Sequence, residues 1–159
     1  NTESLATVRR VPNEPGMAAK VFTLLAEAGV NVDMIVQASA STGTADISFT
    51  VPGSAAAKVR DVLQEKQDDL GYQSFDIDAN VGKVAVVGVG MKTHSGLAAK
   101  FFNALSDEGV NVLMISTSEI RIAALVPLEQ LQDAVRALHT AYGLDAEQVE
   151  AVVYGGTGR

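Results

Sequence analysis

The sequence has no cysteine and no tryptophan, only two histidines (His94 and His139), four prolines, and 5% aromatic residues. The missing cysteines exclude disulfide and thiolate-metal chemistry and fit a reducing compartment. Basic side chains are also scarce: 12 Lys and Arg face 19 Asp and Glu, which gives a net charge of −7 and a pI near 4.7. Such a surface offers the phosphate backbone no counter-charge, so nucleic acid is not expected as a partner. Long apolar runs are absent too. The stretch from Ala85 to Met91 is far short of a bilayer span and no charged-then-apolar leader opens the chain, so the expectation is a soluble, cytoplasmic protein without a membrane partner. With 47% apolar and 19% charged residues over 159 positions, collagenous, coiled-coil and disordered classes are excluded. The length suits one ordinary domain or two very small ones.

The strongest signal is an internal repeat. Gly16 to Ile35 recurs as Gly96 to Ile115 at an offset of 80, without a gap and with 12 of 20 positions identical, including Gly29-Val30-Asn31-Val32 against Gly109-Val110-Asn111-Val112. The chain therefore reads as two copies of one module, residues 1–79 and 80–159, joined near Asp78 to Gly82.

The periodicity predicts the same element order in each copy. In the first, Leu5 to Val11 is a strand that ends at Pro12. A turn over Asn13-Glu14-Pro15-Gly16 leads into a helix with Ala18, Val21, Phe22 and Leu25 on one face, closed by Gly29. Val32 to Gln37 is a nearly continuous apolar run, hence a buried strand, and Thr44 to Val51 alternates as a half-exposed one. Pro52-Gly53-Ser54 starts a second helix on Ala56, Val59, Leu63 and Leu70, and Phe75 to Asp78 is a fourth strand. In the second copy the elements are Lys83 to Val89, helix Gly96 to Asp107, Val112 to Thr117, Ile120 to Val126, helix Leu128 to Tyr142 and Ala151 to Tyr154. The order βαββαβ, twice, implies an α+β fold of two ferredoxin-like units, each an antiparallel sheet with helices on one face.

Catalytic groups are few. His139 reads as a partly exposed helix residue. His94 lies in a turn before a helix, within reach of a ligand, but no second His or Cys stands at metal-ligand spacing, so no metal is expected. No Gly-x-Ser-x-Gly elbow or Ser-x-x-Lys activates a serine. The strand Val84 to Gly90 runs into Gly-x-Gly, but the third glycine of a dinucleotide fingerprint would fall on Thr93, and no Walker loop occurs. Asp68-Asp69 and Glu147 to Glu150 read as solvated surface. No catalytic residue and no cofactor is assigned.

What remains is the paired turn, Asn13-Glu14-Pro15-Gly16 in one copy and Lys92-Thr93-His94-Ser95-Gly96 in the other. Free N–H groups at the following helix start, with the positive end of the helix dipole, suit a small carboxylate, and glycine allows close approach. An amino acid brings such a carboxylate, and its ammonium needs acceptors such as Asn13, Asn31, Asp33 or Asn111. The plainer reading is that Gly16 and Gly96 only shape a helix entry.

Several segments carry a resemblance to a family. They are Asn13 to Gly16, Gly29 to Gln37, Gly90-Met91-Lys92-Thr93-His94-Ser95-Gly96, Ile115-Ser116-Thr117-Ser118-Glu119-Ile120-Arg121-Ile122, and the ending Ala151 to Arg159. They resemble the tandem ACT domains of bacterial aspartate kinase over almost the whole chain. The resemblance implies a regulatory region, either a separate subunit or the C-terminal part of a longer chain; the catalytic domain's Lys-Phe-Gly-Gly motif is not in these residues. It implies a homodimer through the ACT domains, partnered by the catalytic subunit or domain, with threonine, lysine or both bound between copies as the feedback effector. Carried over by position, one site would use Asn13, Gly16, Met17, Ala18 and Gln37 with Asn111, Val112 and Met114. The other would use Thr93, His94, Gly96, Leu97 and Ala98 with Asn31, Val32 and Asp33. Asn13 stands where the family usually has Asp, Ser95 where Pro is frequent, and Ala98 where close relatives carry Thr. In the family a strand preceding the first copy can complete the second, so terminal strands exchanged between copies are an open alternative. Two other readings stay open: a small acylphosphatase-type enzyme, which would use Arg9 or Arg10 as an anion-binding arginine, and a dimerisation module without ligand.

Overall fold

The computed structural model describes residues 3–88, 96–118, 121–143 and 151–155. The chain divides into two compact units, Thr2–Ala79 and Asn80–Arg159.

In the N-terminal unit the elements are β1 (Glu3–Pro12), α1 (Met17–Glu27), β2 (Ile35–Ser39), β3 (Thr44–Pro52), a 3-10 turn at Gly53–Ala55, α2 (Ala56–Glu65), α3 (Gln67–Leu70) and the leading part of β4 (Ser74–Gly88). Strand order is β2-β3-β1-β4, the ferredoxin-like order, with β1 and β2 antiparallel to β3. Alternation decides the faces: Ile47, Phe49 and Val51 turn toward the helices and form one core with Val21, Leu25, Val59 and Leu63, all essentially solvent-free.

The C-terminal unit repeats the plan with the later part of β4, α4 (Gly96–Asp107), β5 (Met114–Thr117), β6 (Arg121–Pro127), a 3-10 turn at Leu128–Gln130, α5 (Leu131–Gly143) and β7 (Ala151–Gly155). Its order is β5-β6-β4-β7, with all three of these pairs antiparallel. Phe101, Leu105, Ile122, Val126, Leu131 and Leu138 fill its core.

Much of the repeated sequence has a local structural reason. Each first helix ends in the same motif: Gly29 and Gly109 take left-handed φ of 81° and 73°. Their N–H groups bond Ala26 O and Ser106 O at 2.9 Å, and the N–H groups of Val30 and Val110 reach back to Leu25 O and Leu105 O at 3.0 Å. That satisfies the orphan carbonyls of the last turn and buries the valine that follows. The matched lysines also tie helices together: Lys20 Nζ donates to Asp69 O at the end of α3, and Lys100 lies 5.0 Å over the Tyr142 ring on α5.

Three expectations change. The run Val32 to Gln37 is not a buried strand: β2 starts only at Ile35 and is exposed along its length, Ile35 by 52% and Val36 by 40%. It is an outer strand, paired with β3 on one side only, and its side chains stay exposed within this unit. Val112 to Thr117 shortens likewise to β5, with Ile115 exposed by 49% and Leu113, just before the strand, by 41%. The strands read separately at Phe75 to Asp78 and Lys83 to Val89 are one strand, β4, with the join inside it. The acidic pair Asp68-Asp69 is exposed, as is His139, while Glu147 to Glu150 lie outside the described residues.

The segment preceding β2 is fixed by Thr50, a buried polar residue of β3. Its backbone exchanges bonds of 3.0 Å with Asp33 and Met34, and its Oγ1 accepts the Met34 N–H at 2.9 Å. Thr50→Val keeps the shape but strands that buried N–H, so we expect a loss of about 1–3 kcal/mol in unfolding free energy, measured as a lower urea midpoint.

Candidate functional site

The turn of the first copy builds a concave site from three elements. Gly16 caps α1 with φ 90° and no side chain bonds the free N–H groups of the first helical turn, which carries no acidic residue. Met17 N–H bonds Glu14 O at 3.2 Å, and Lys20 N–H closes the first helical bond on Gly16 O. A Cβ at Gly16 would meet nothing within 4 Å, so the space in front of the helix start is open. Opposite stands β2. Gln37 Nε2 donates to Asn13 Oδ1 at 3.5 Å and Asn13 Nδ2 donates to Ser39 Oγ at 3.2 Å, a neutral polar wall. Asn13 is held from its backbone as well, by an N–H bond of 3.0 Å to Gly43 O.

Asn13, Gly16, Met17 and Gln37 line a cavity of about 230 Å³, together with Ala45 and Ile47 of β3. That is below the roughly 300–1,000 Å³ typical of drug-sized ligands and suits a metabolite the size of an amino acid. Asn13, Gly16, Met17, Ala18 and Gln37, named from the sequence, all line it. Arg9 and Arg10 do not, and the Arg9 guanidinium pairs with Asp76, so the anion-binding arginine of the acylphosphatase reading is missing from the cavity wall. A larger hollow of about 370 Å³ between α4 and α5, beside Ala104, Asp107 and Arg136, contains none of the residues named from the sequence.

The other named residues fall as follows. Asn31 and Asp33 are exposed in the segment before β2, and Val32 packs on the core. Asn111 is exposed and its N–H bonds Gln130 Oε1 at 2.8 Å, Val112 packs on the core of its unit, and Met114 is buried. Gly96 opens α4 with free space around it and Ala98 packs inward. Thr93 and His94 lie outside the described residues, as does the Leu97 side chain. Sequence reasoning missed Ala45 and Ile47 in the cavity lining, and Ser39, which holds Asn13 from β2. Ser39 was within reach of it, because it lies two residues beyond Gln37 and so on the same face of β2.

Among the described residues no three His, Asp or Glu side chains could hold a metal ion, and no helix is long and apolar enough to cross a membrane.

The ACT domain family model matches twice, over residues 9–67 and 84–142. The chain is 42% identical to a chain of an aspartokinase alpha and beta subunit structure, with a TM-score of 0.83 and coverage of 89% of this chain and 93% of that one. The chain belongs to the tandem ACT regulatory regions of aspartate kinases. A regulatory subunit from Thermus thermophilus is 35% identical with the same TM-score and coverage. The aspartokinase of Corynebacterium glutamicum is 46% identical over 99% of this chain, which spans 38% of that protein. Tandem ACT copies account for the repeat and for both sheet orders.

Proposed function

We propose that this ACT pair senses threonine, and lysine as a second candidate, and relays its binding as feedback inhibition to an aspartate-kinase catalytic subunit or domain in the cytoplasm. The observation that carries the reading is the cavity at the start of α1. The amino acid's carboxylate meets the open N–H groups beside Gly16, while the amide oxygens of Asn13 and Gln37 accept from its ammonium. Asn111, Val112 and Met114 of a partner chain complete the site, and Thr93, His94, Gly96, Leu97 and Ala98 with Asn31, Val32 and Asp33 form its counterpart. Support for a homodimer comes from the exposed Ile35, Val36, Leu113 and Ile115, which adjoin those residues. The ligand acts by binding one of two assembly states more tightly, and needs no cofactor.

Calorimetry with L-threonine and, separately, L-lysine tests this. Saturable heat at millimolar ligand or below is expected, with thermal stabilisation that grows with concentration. A dimer that takes up neither amino acid would instead favour the ligand-free dimerisation module, which the same exposed strands also support.

A further inference from the structure

The strand that feeds the cavity contains an irregularity that neither the family nor the effector reading accounts for. Between the pairs Val8↔Ile47 and Val11↔Ala45, two residues of β1, Arg9 and Arg10, stand opposite the single residue Asp46. This is a β-bulge, and Arg10 takes φ of 59°, the only positive value among the described non-glycine residues. Matching the strands by their ladders puts Val8 with Val86, because Ile47 and Ile122 are their respective partners. Arg10 therefore corresponds by register to Gly88. The first copy holds the same position with an arginine.

Three bonds keep it there. The Arg10 N–H donates to Asp46 Oδ1 at 3.0 Å, the Arg9 carbonyl accepts from Gln73 N–H at 2.9 Å, and the Arg9 guanidinium pairs with Asp76 on β4. The bulge is clamped on both flanks, and its consequence lies one residue downstream. Val11 and Pro12 continue the ladder with Ala45 and Thr44, and Asn13 then bonds Gly43. Val11, Pro12, Asn13, Ala45 and Ile47 all line the cavity. Removing the extra residue's offset would reverse the alternation of β1 from Val11 onward and carry Asn13 away from Gln37 and Ser39.

We infer that Asp46 is a positioning residue for the effector cavity: by accepting the Arg10 N–H it holds the bulge that sets Asn13 in the cavity wall, without itself touching ligand. The inference rests on the effector reading only for its second readout.

The test uses the 159-residue chain and the variants Asp46→Ala, Asp46→Asn and Arg10→Gly. Amide hydrogen exchange is followed by NMR alongside L-threonine calorimetry. Asp46→Ala should speed exchange at the Arg10 and Asn13 amides at least tenfold, leave Val62 and Leu63 in α2 protected, and weaken threonine binding at least tenfold. Asp46→Asn keeps an oxygen acceptor and should restore most of both. Arg10→Gly removes the backbone strain but not the bond, so it should raise the melting temperature and leave the Asn13 exchange rate unchanged. Unchanged exchange at Asn13 in Asp46→Ala overturns the inference, and so does faster exchange with undiminished threonine affinity. If the unmodified chain takes up no threonine, the effector reading falls, while the exchange data still decide whether Asp46 fixes Asn13.

Discussion

Gly16→Asp should weaken threonine binding by at least 100-fold while leaving the chain folded. At φ 90° any L-residue is strained, by about 1–2 kcal/mol, but aspartate is among the residues that tolerate this backbone best. A side chain there also meets no neighbour within 4 Å. The new carboxylate would bond the free N–H groups of the α1 start, as an N-cap residue does, and so occupy the donors meant for the ligand. Gly16→Ala carries similar strain without the charge and should lose far less affinity. Calorimetry of both variants, with thermal unfolding as a control on the fold, separates charge from strain. An aspartate variant that still takes up threonine as tightly as the parent would mean that the carboxylate does not dock at this helix start.

Phe49→Ala is the substitution expected to cost most in stability, about 3–5 kcal/mol. Phe49 is fully buried on β3, with its ring edge-on to Phe22 at 5.4 Å and 79°. For a domain whose total stability is about 5–15 kcal/mol, that is enough to populate the unfolded state of the first copy. The second copy suggests how to recover it. By the strand registers Phe49 corresponds to Ala124, and by the helix offset Val21 corresponds to Phe101. One core puts the large ring on the sheet and the small residue on the helix, the other does the reverse, and all four side chains are buried. Val21→Phe added to Phe49→Ala should therefore return part of the loss, because the new ring refills most of the core volume removed, short only by the difference between Val and Ala. Urea denaturation of the single and double variants reads the difference. A double variant no more stable than Phe49→Ala alone would show that the two cores are not filled by the same exchange.

Why some features were legible in the sequence and others were not follows from how they are encoded. The helices, the Gly-Val closures and the half-exposed β3 were legible because each is a short-range pattern with one dominant cause: a 3.6-residue stripe, a left-handed glycine, or strict alternation. Of the named cavity residues, Asn13 and Gly16 were legible in the turn itself, whereas Met17, Ala18 and Gln37 came with the family resemblance, since nothing local ties β2 to the start of α1. The exposure of β2 was not legible, since Ile35-Val36 looks the same in sequence whether a core or a second molecule covers it. The bulge at Arg9-Arg10 was hidden for a different reason. Its usual marker is glycine, which stands at neither Arg9 nor Arg10, and the compensating bonds come from Asp46, Gln73 and Asp76, far along the chain.

The bare rims of β2 and β5 bear on how this molecule behaves when crowded. Ile35-Val36-Gln37-Ala38-Ser39 and Met114-Ile115-Ser116-Thr117 contain no charge and no proline, the devices by which lone sheets fend off strangers. Their unused N–H and C=O groups are templates for any extended segment that drifts past. Dispersion in water is thus governed by whether those margins are sheathed, and a surplus of negative charge elsewhere on the surface is no substitute.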